Sequence, residues 1–195
     1  MADAALSSEE ILETAEEVLR RFGPGKATVV DVARALGVSH GTVYRHYPSK
    51  AALRAAVTRR WLDRAHAALP GVAAGPGSPE ERLRGWARAL FTAKRAKALD
   101  DPELFATYQV LVGENSELIG DHLSELESQL ASVIASGQAD GSFRGGVEPG
   151  VLAHAVFQAT AHFHDPGYAG EWSRPTAEAD LDALLDLIVQ GLARR

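Results

Sequence analysis

The 195-residue chain has no cysteine, a single methionine and only 7% aromatic residues. The missing cysteines exclude disulfides, thiolate metal centres and cysteine nucleophiles together, and agree with a reducing compartment. No apolar run approaches the about 20 residues needed to cross a bilayer. The opening MADAALSSEE has neither the basic n-region nor the apolar h-region of a secretory leader, so a cytoplasmic protein without membrane partners is expected. A general surplus of positive charge is also lacking. The net charge of −6 argues against indiscriminate coating of nucleic acid. Gly23-Pro24-Gly25-Lys26-Ala27-Thr28 falls short of a phosphate-cradling loop, because Arg20 stands where the first glycine is needed and Ala27 where Ser or Thr must follow the lysine.

What charge there is lies unevenly. Residues 26 to 64 carry eight Lys or Arg (Lys26, Arg34, Arg45, Lys50, Arg54, Arg59, Arg60, Arg64) against two acids, Asp31 and Asp63, a surplus of six that leaves −12 on the remainder. A single basic island in an acidic chain suits a localised polyanion-binding surface, and equally a solvated charged face. With 46% hydrophobic residues the chain has the composition of an ordinary folded protein.

Helical signals dominate. Ser7 and Glu10 form a capping-box pattern ahead of Ile11, Ala15, Val18, Leu19 and Phe22, and Gly23-Pro24-Gly25 is expected to stop this first helix. Thr28 and Asp31 start a second helix, Gly37 ends it in a left-handed conformation, and Ser39 caps a short third helix closed by Pro48. Ser49 caps a longer fourth helix reaching about Leu69, with Leu53, Val57, Trp61, Ala65 and Leu69 four apart. PGVAAGPGSP reads as a linker, and Ser78-Pro79-Glu80-Glu81 opens a second helical region. Further helices are expected from about Leu104, from about 116 to 136, from 149 to 164 and from 176 to 193. The expectation is an all-α fold of about nine helices: residues 1–50 as a helix-turn-helix domain, 50–69 as a connecting helix, and 70–195 as a larger ligand-binding and dimerisation bundle.

The densest motif is VVDVARALGVSHGTVYRHYP, residues 29–48. Ala33 allows a close helix crossing, Gly37 four residues later supplies a positive-φ turn, and Val43 plugs the interface, which together meet the needs of a helix-turn-helix. The polar face of the third helix then offers Ser39, His40, Gly41, Thr42, Tyr44 and Arg45 to a DNA groove. Hydroxyls and imidazole can bond phosphates or base edges, and Arg45 can pair bidentately with guanine.

Residues 28–53, TVVDVARALGVSHGTVYRHYPSKAAL, closely resemble the DNA-binding segment of tetracycline-repressor-like (TetR-type) transcriptional regulators, and the helical outline is similar across the whole chain. The resemblance implies phosphate contacts at Thr28, Thr42, Tyr47 and Lys50, and base readers at His40, Gly41, Tyr44 and Arg45. It further implies a homodimer through the last two helices and a small-molecule effector enclosed by the central ones, the effector being unknown. The function expected is a ligand-responsive repressor, with no catalysis and no cofactor, bound to a near-palindromic operator of duplex DNA.

Trp86, Phe105, Tyr108, His154 and Phe157 are candidates to line the effector cavity, although aromatics at helical spacing more often form core. Leu181, Leu184, Leu185, Ile188 and Leu192 make an apolar stripe suited to a dimer interface, faced by His154, Phe157 and Ala161. His154, His162, His164 and Asp165 are the one grouping able to hold a metal, with 154 and 162 sharing a face and no fourth ligand evident. They support the alternative function, a small-molecule or metal-dependent helical enzyme or binding protein with the amino-terminal bundle as scaffold.

Overall fold

Three capping boxes set where helices begin. In a computed structural model, which describes residues 6–194, the backbone amides of Glu10, Asp31 and Glu81 each donate to the hydroxyl three residues earlier at 3.2 Å. Each carboxylate reaches back to the amide of Ser7, Thr28 or Ser78. The helices are α1 (Ser8–Lys26), α2 (Val29–Ala35), α3 (His40–His46), α4 (Lys50–His66), α5 (Leu69–Ala73), α6 (Pro79–Asp100), α7 (Pro102–Glu114), α8 (Ser116–Asp140), α9 (Pro149–Ala159) and α10 (Ala177–Leu192). Short 3-10 helices lie at Ala161–Phe163 and Pro166–Glu171. The only extended pairing among the described residues is an isolated bridge between Phe143 and Ala193, so the all-α expectation holds.

Three boundaries differ from the sequence reading, each for a physical reason. Gly23, at φ 72°, kinks α1 instead of ending it, and the chain makes one more turn to Lys26 before the Ala27 amide bonds the Gly23 carbonyl. The presumed linker begins with α5, because Pro70 is tolerated in a first helical turn and Leu69 and Ala73, four apart, are both buried. The helix expected through residue 164 ends at Ala159. There the Thr160 hydroxyl donates back to the Val156 and Phe157 carbonyls, and the chain tightens into a 3-10 turn.

The chain forms two compact units. One runs up to Arg64 and takes in Asp101–Ile119; the other comprises Ala65–Asp100 and the chain from Gly120. The first unit is built on Ile11, Ala15, Val18, Leu19, Val29, Val32, Ala33, Val43, Leu53, Val57 and Leu111, with Ile11 and Val43 wholly inaccessible. The second packs Leu83, Trp86 and Leu90 of α6 with Leu126, Leu130, Val133 and Ile134 of α8 and Leu181 and Leu185 of α10 in its core. Phe143 lies so close over Gly137 that a methyl group there would meet its ring at 2.3 Å.

Candidate nucleic-acid interface

The turn between α2 and α3 is a Schellman motif. Gly37, at φ 68°, donates its amide to the Arg34 carbonyl at 3.2 Å, and the Val38 amide reaches the Ala33 carbonyl at 3.0 Å. Ala33 and Val43 are buried on either side, as their spacing anticipates. With its inner face pinned by Val43, α3 turns His40, Gly41, Tyr44 and Arg45 to the surface. His40 and Tyr44, one turn apart, meet edge to face with centroids 6.2 Å apart. Gly41 has no internal reason to lack a side chain, since an added methyl group would find only the Ser39 hydroxyl at 3.7 Å.

The residues implied as phosphate contacts are more engaged with the fold. Thr28 and Ser39 are helix caps, accepting from the amides of Asp31 and Thr42. Thr42 also shares a hydroxyl contact of 3.0 Å with Ser39. Tyr47 is half-buried, and its hydroxyl donates to the Ser8 carbonyl at 3.3 Å, so a phosphate would have to compete for that proton. Lys50 begins α4 and makes no ion pair among the described residues.

Half of the basic island is neutralised inside its own unit. Arg34 pairs with Asp31, Arg54 with Glu114 at 2.9 Å, Arg60 with Glu9 and Glu16, and Arg64 with Glu16. Lys26, Arg45, Lys50 and Arg59 have no such partner among the described residues. Arg45 and Lys50 thus remain as the available cations on and directly beside α3. Raw charge counting could not separate these four from Arg34, paired within α2, and the three arginines that brace α1, α4 and α7.

The candidate effector residues divide between the units. Phe105 and Tyr108 belong to the first, where Tyr108 stacks on Trp61 at 3.6 Å. Burial raises the Tyr108 phenol above its ordinary pKa. Trp86, His154 and Phe157 belong to the second. Trp86 is core, its indole donating to Gln129 at 2.9 Å, and Phe157 is buried against His164, whereas His154 is exposed and paired with Glu127. His154, His162 and His164 make separate contacts: His162 lies near Glu171, and His164 is buried on the Phe157 carbonyl. Among the described residues no group of three or more His, Cys, Asp or Glu could hold a metal ion. Among the described residues no helix is long and apolar enough to cross a membrane.

A buried polar cluster in the second unit joins His164 and Asp165, which the sequence singles out, to Lys94, His66 and His122, which it does not. Lys94, 7% exposed, continues the apolar face of α6 one turn beyond Leu90, and that lysine in a core register was the signal available. Burial lowers its ammonium to a pKa of about 8, against which Asp165 acts. His66 is 5% exposed with neither ring nitrogen hydrogen-bonded, and it stacks on His122 at 4.7 Å. Burial first, then Lys94, His122 and His164, hold His66 at about 2. His164, 8% exposed, is likewise depressed by burial, to about 4.

Residues 11–57 match the family described as bacterial regulatory proteins, tetR family, and residues 79–185 match the description Tetracyclin repressor-like, C-terminal domain. The HTH-type transcriptional repressor KstR2 of Rhodococcus jostii (strain RHA1) is 28% identical over 196 residues, covering 94% of this chain and 90% of that protein. The crystal structure of the TetR transcriptional regulator SCO0520 from Streptomyces coelicolor is 29% identical, covers 96% of this chain and 98% of that one, and superposes with a TM-score of 0.52. The transcriptional regulator FadR from Bacillus subtilis, solved in complex with stearoyl-CoA, shares the fold at a TM-score of 0.70 with 16% identity, covering 95% of this chain and 100% of its own. With its helix-turn-helix inside one family match and more than half its length inside the other, this chain belongs to the tetracycline-repressor-like (TetR) family of bacterial regulatory proteins.

Proposed function

We propose that the protein is a repressor that binds a near-palindromic operator as a homodimer and leaves it when a small molecule occupies the second unit. The observation carrying this reading is the outer face of α3. A Schellman turn and a buried Val43 hold His40, Gly41, Tyr44 and Arg45 outward, on a helix whose one arginine pairs with no acid among the described residues. In this reading Arg45 and Tyr44 read base edges, Gly41 allows close approach of the backbone, and Lys50 anchors a phosphate. Ser39, Thr28 and Thr42 hold the geometry and offer hydroxyls at its margin. Tyr47 acts mainly by tying the end of α3 to the start of α1. The repressor role of KstR2 and the acyl thioester bound to FadR support, without specifying, an effector-controlled regulator.

Exposed apolar side chains on the second unit support self-association. Leu187 on α10 is 69% exposed and Val151 on α9 is 61% exposed. Of the stripe expected to pair, Leu181, Leu185 and Leu192 pack within the chain and Leu184 and Ile188 are partly buried, whereas the exposed Leu187 lies outside that stripe. Effector and operator must oppose each other reciprocally, each lowering the other's affinity by one shared factor, about five- to 150-fold in such systems.

Selection of purified protein on random duplexes tests the reading. A recovered near-palindrome with half-sites about one or more helical turns apart is expected. Recovery of unrelated sequences, bound no better than the starting pool, would contradict it.

A further inference from the structure

Lys94 is out of place energetically. Its α6 neighbours at the same register, Leu83, Trp86, Ala87, Leu90 and Phe91, are all buried and, tryptophan aside, purely apolar. Lys94 is buried with them, yet it makes no hydrogen bond or ion pair among the described residues, and Asp165 acts on it only at a distance. A buried cation of this kind destabilises a fold unless something charged of opposite sign meets it. Within electrostatic reach of it is His66, at least nine-tenths buried, with both ring nitrogens unbonded. His66 in turn stacks on His122 and lies within electrostatic reach of His164. One cation and neutral imidazole N–H donors, surrounded by rings, form a receptor for a monoanion. Phe91 meets Phe163 edge to face at 5.7 Å and Trp172 at 6.4 Å, and Phe157 stacks on His164 at 4.2 Å.

We propose that this cluster recognises the head of the effector: Lys94 pairs with the carboxylate of an amphipathic organic acid, His66 donates a second hydrogen bond, and the apolar body lies against the aromatic side chains around Phe91. A carboxylate fits better than a phosphate, because one ammonium balances a single charge and the remaining donors are neutral. Reaching the His66 ring nitrogens requires displacing the atoms that cover them, so binding selects an altered packing of the second unit. That gives the acid the differential affinity between states which any effector must have. The inference rests on the effector reading above and adds the ligand's charge to it.

The test pairs each acid with its neutral isostere. Melting temperatures of the full-length protein are measured with dodecanoate and cholate, and with dodecanol and the methyl ester of cholate, for the natural protein, Lys94→Met and Lys94→Gln. At least one acid is expected to raise the natural protein's melting temperature by roughly 5 to 10 °C near hundredfold saturation, with its neutral partner at least tenfold weaker. Lys94→Met should melt higher than the natural protein without ligand, and both variants should lose the preference for the acid. A lysine with a merely structural role would instead lower the melting temperature when replaced. The inference is overturned if neither acid binds, if neutral partners bind equally, if the variants keep the preference, or if Lys94→Met is the less stable protein. Operator binding followed in the same samples separates the two readings. Release by a neutral compound alone would keep the effector reading and sink the carboxylate. Lys94-dependent acid binding without release would keep the carboxylate and sink the regulation.

Discussion

At the scale of single residues, the helix-turn-helix separates side chains that hold the fold from side chains left for a partner. Gly37 needs its glycine for a positive φ, whereas Gly41 is in open helical geometry with only the Ser39 hydroxyl nearby. Gly41→Ala should therefore leave thermal stability unchanged or raise it by up to about 1 kcal/mol, through helix propensity, while weakening operator binding. Melting curves and fluorescence anisotropy on the same preparation check this; a loss of stability matching the loss of binding would place Gly41 in the scaffold. The buried imidazoles carry a second prediction. His66 is held at about 2 and His164 at about 4, both below the ordinary 6.5, so the unfolded chain takes up protons first as pH falls. Their contribution to stability is present above pH 6.5 and is lost progressively toward pH 4 for His164 and toward pH 2 for His66. Around them stand Lys94, His122 and Asp165, and of these Asp165 alone favours the protonated imidazole, at His164. The urea midpoint should drop between pH 7 and pH 5, above the range where ordinary carboxylates titrate, and His164→Gln should flatten that drop. An unchanged midpoint across this window in the natural protein would contradict the depressed imidazoles.

At the scale of elements, the sequence was legible where local chemistry decides and opaque where tertiary packing does. The capping box at Ser7 and the helix starts expected at Thr28 and Ser78 form where the sequence places them, and so does the turn at Gly37, because each depends on residues within five positions. Helix α5 was unreadable in PGVAAGPGSP, since burial of Leu69 and Ala73 outweighs the two breakers between them. Likewise the stripe Leu181, Leu185 and Leu192 looked the same whether it faced its own chain or a partner; periodicity identifies an apolar face and not what covers it. The basic island misled in the same way, because the acids pairing with Arg54, Arg60 and Arg64 are 44 or more positions away in sequence. Gly137 is a further tertiary requirement, invisible locally because the Phe143 ring fills the space above it. Gly137→Ala should cost about 1 to 3 kcal/mol by forcing that ring aside, seen as a lower melting temperature, in contrast to the neutral or favourable change at Gly41. Equal stability of the two variants would show that the ring moves freely.

At the scale of the whole molecule, the proposal requires two copies. Leu187 is more than 60% exposed beside the partly buried Leu184 and Ile188 on α10, and Val151 on α9 is exposed to a similar degree, so the proposal assigns this apolar surface to a second copy. Sedimentation equilibrium should give a dimer at micromolar concentration, and Leu187→Asp should shift it toward monomer without loss of helical signal. A monomeric natural protein, or an unaffected variant, would remove α10 from the interface. The central claim, that α3 reads sequence while Lys50 only anchors, is tested most directly by one ratio: affinity for the selected operator over affinity for the same duplex shuffled, measured across a salt series. The natural protein should favour the operator by at least about 10³-fold. Tyr44→Ala and Arg45→Ala should reduce this ratio, Arg45→Ala by the roughly 1 to 3 kcal/mol that one bidentate base contact supplies. Lys50→Ala should keep the ratio while weakening both affinities and flattening the logarithmic salt slope by about 0.9 per protomer. If Tyr44→Ala and Arg45→Ala retain the natural ratio while Lys50→Ala abolishes it, α3 is not the reading helix and the assignment of readers and anchor is contradicted.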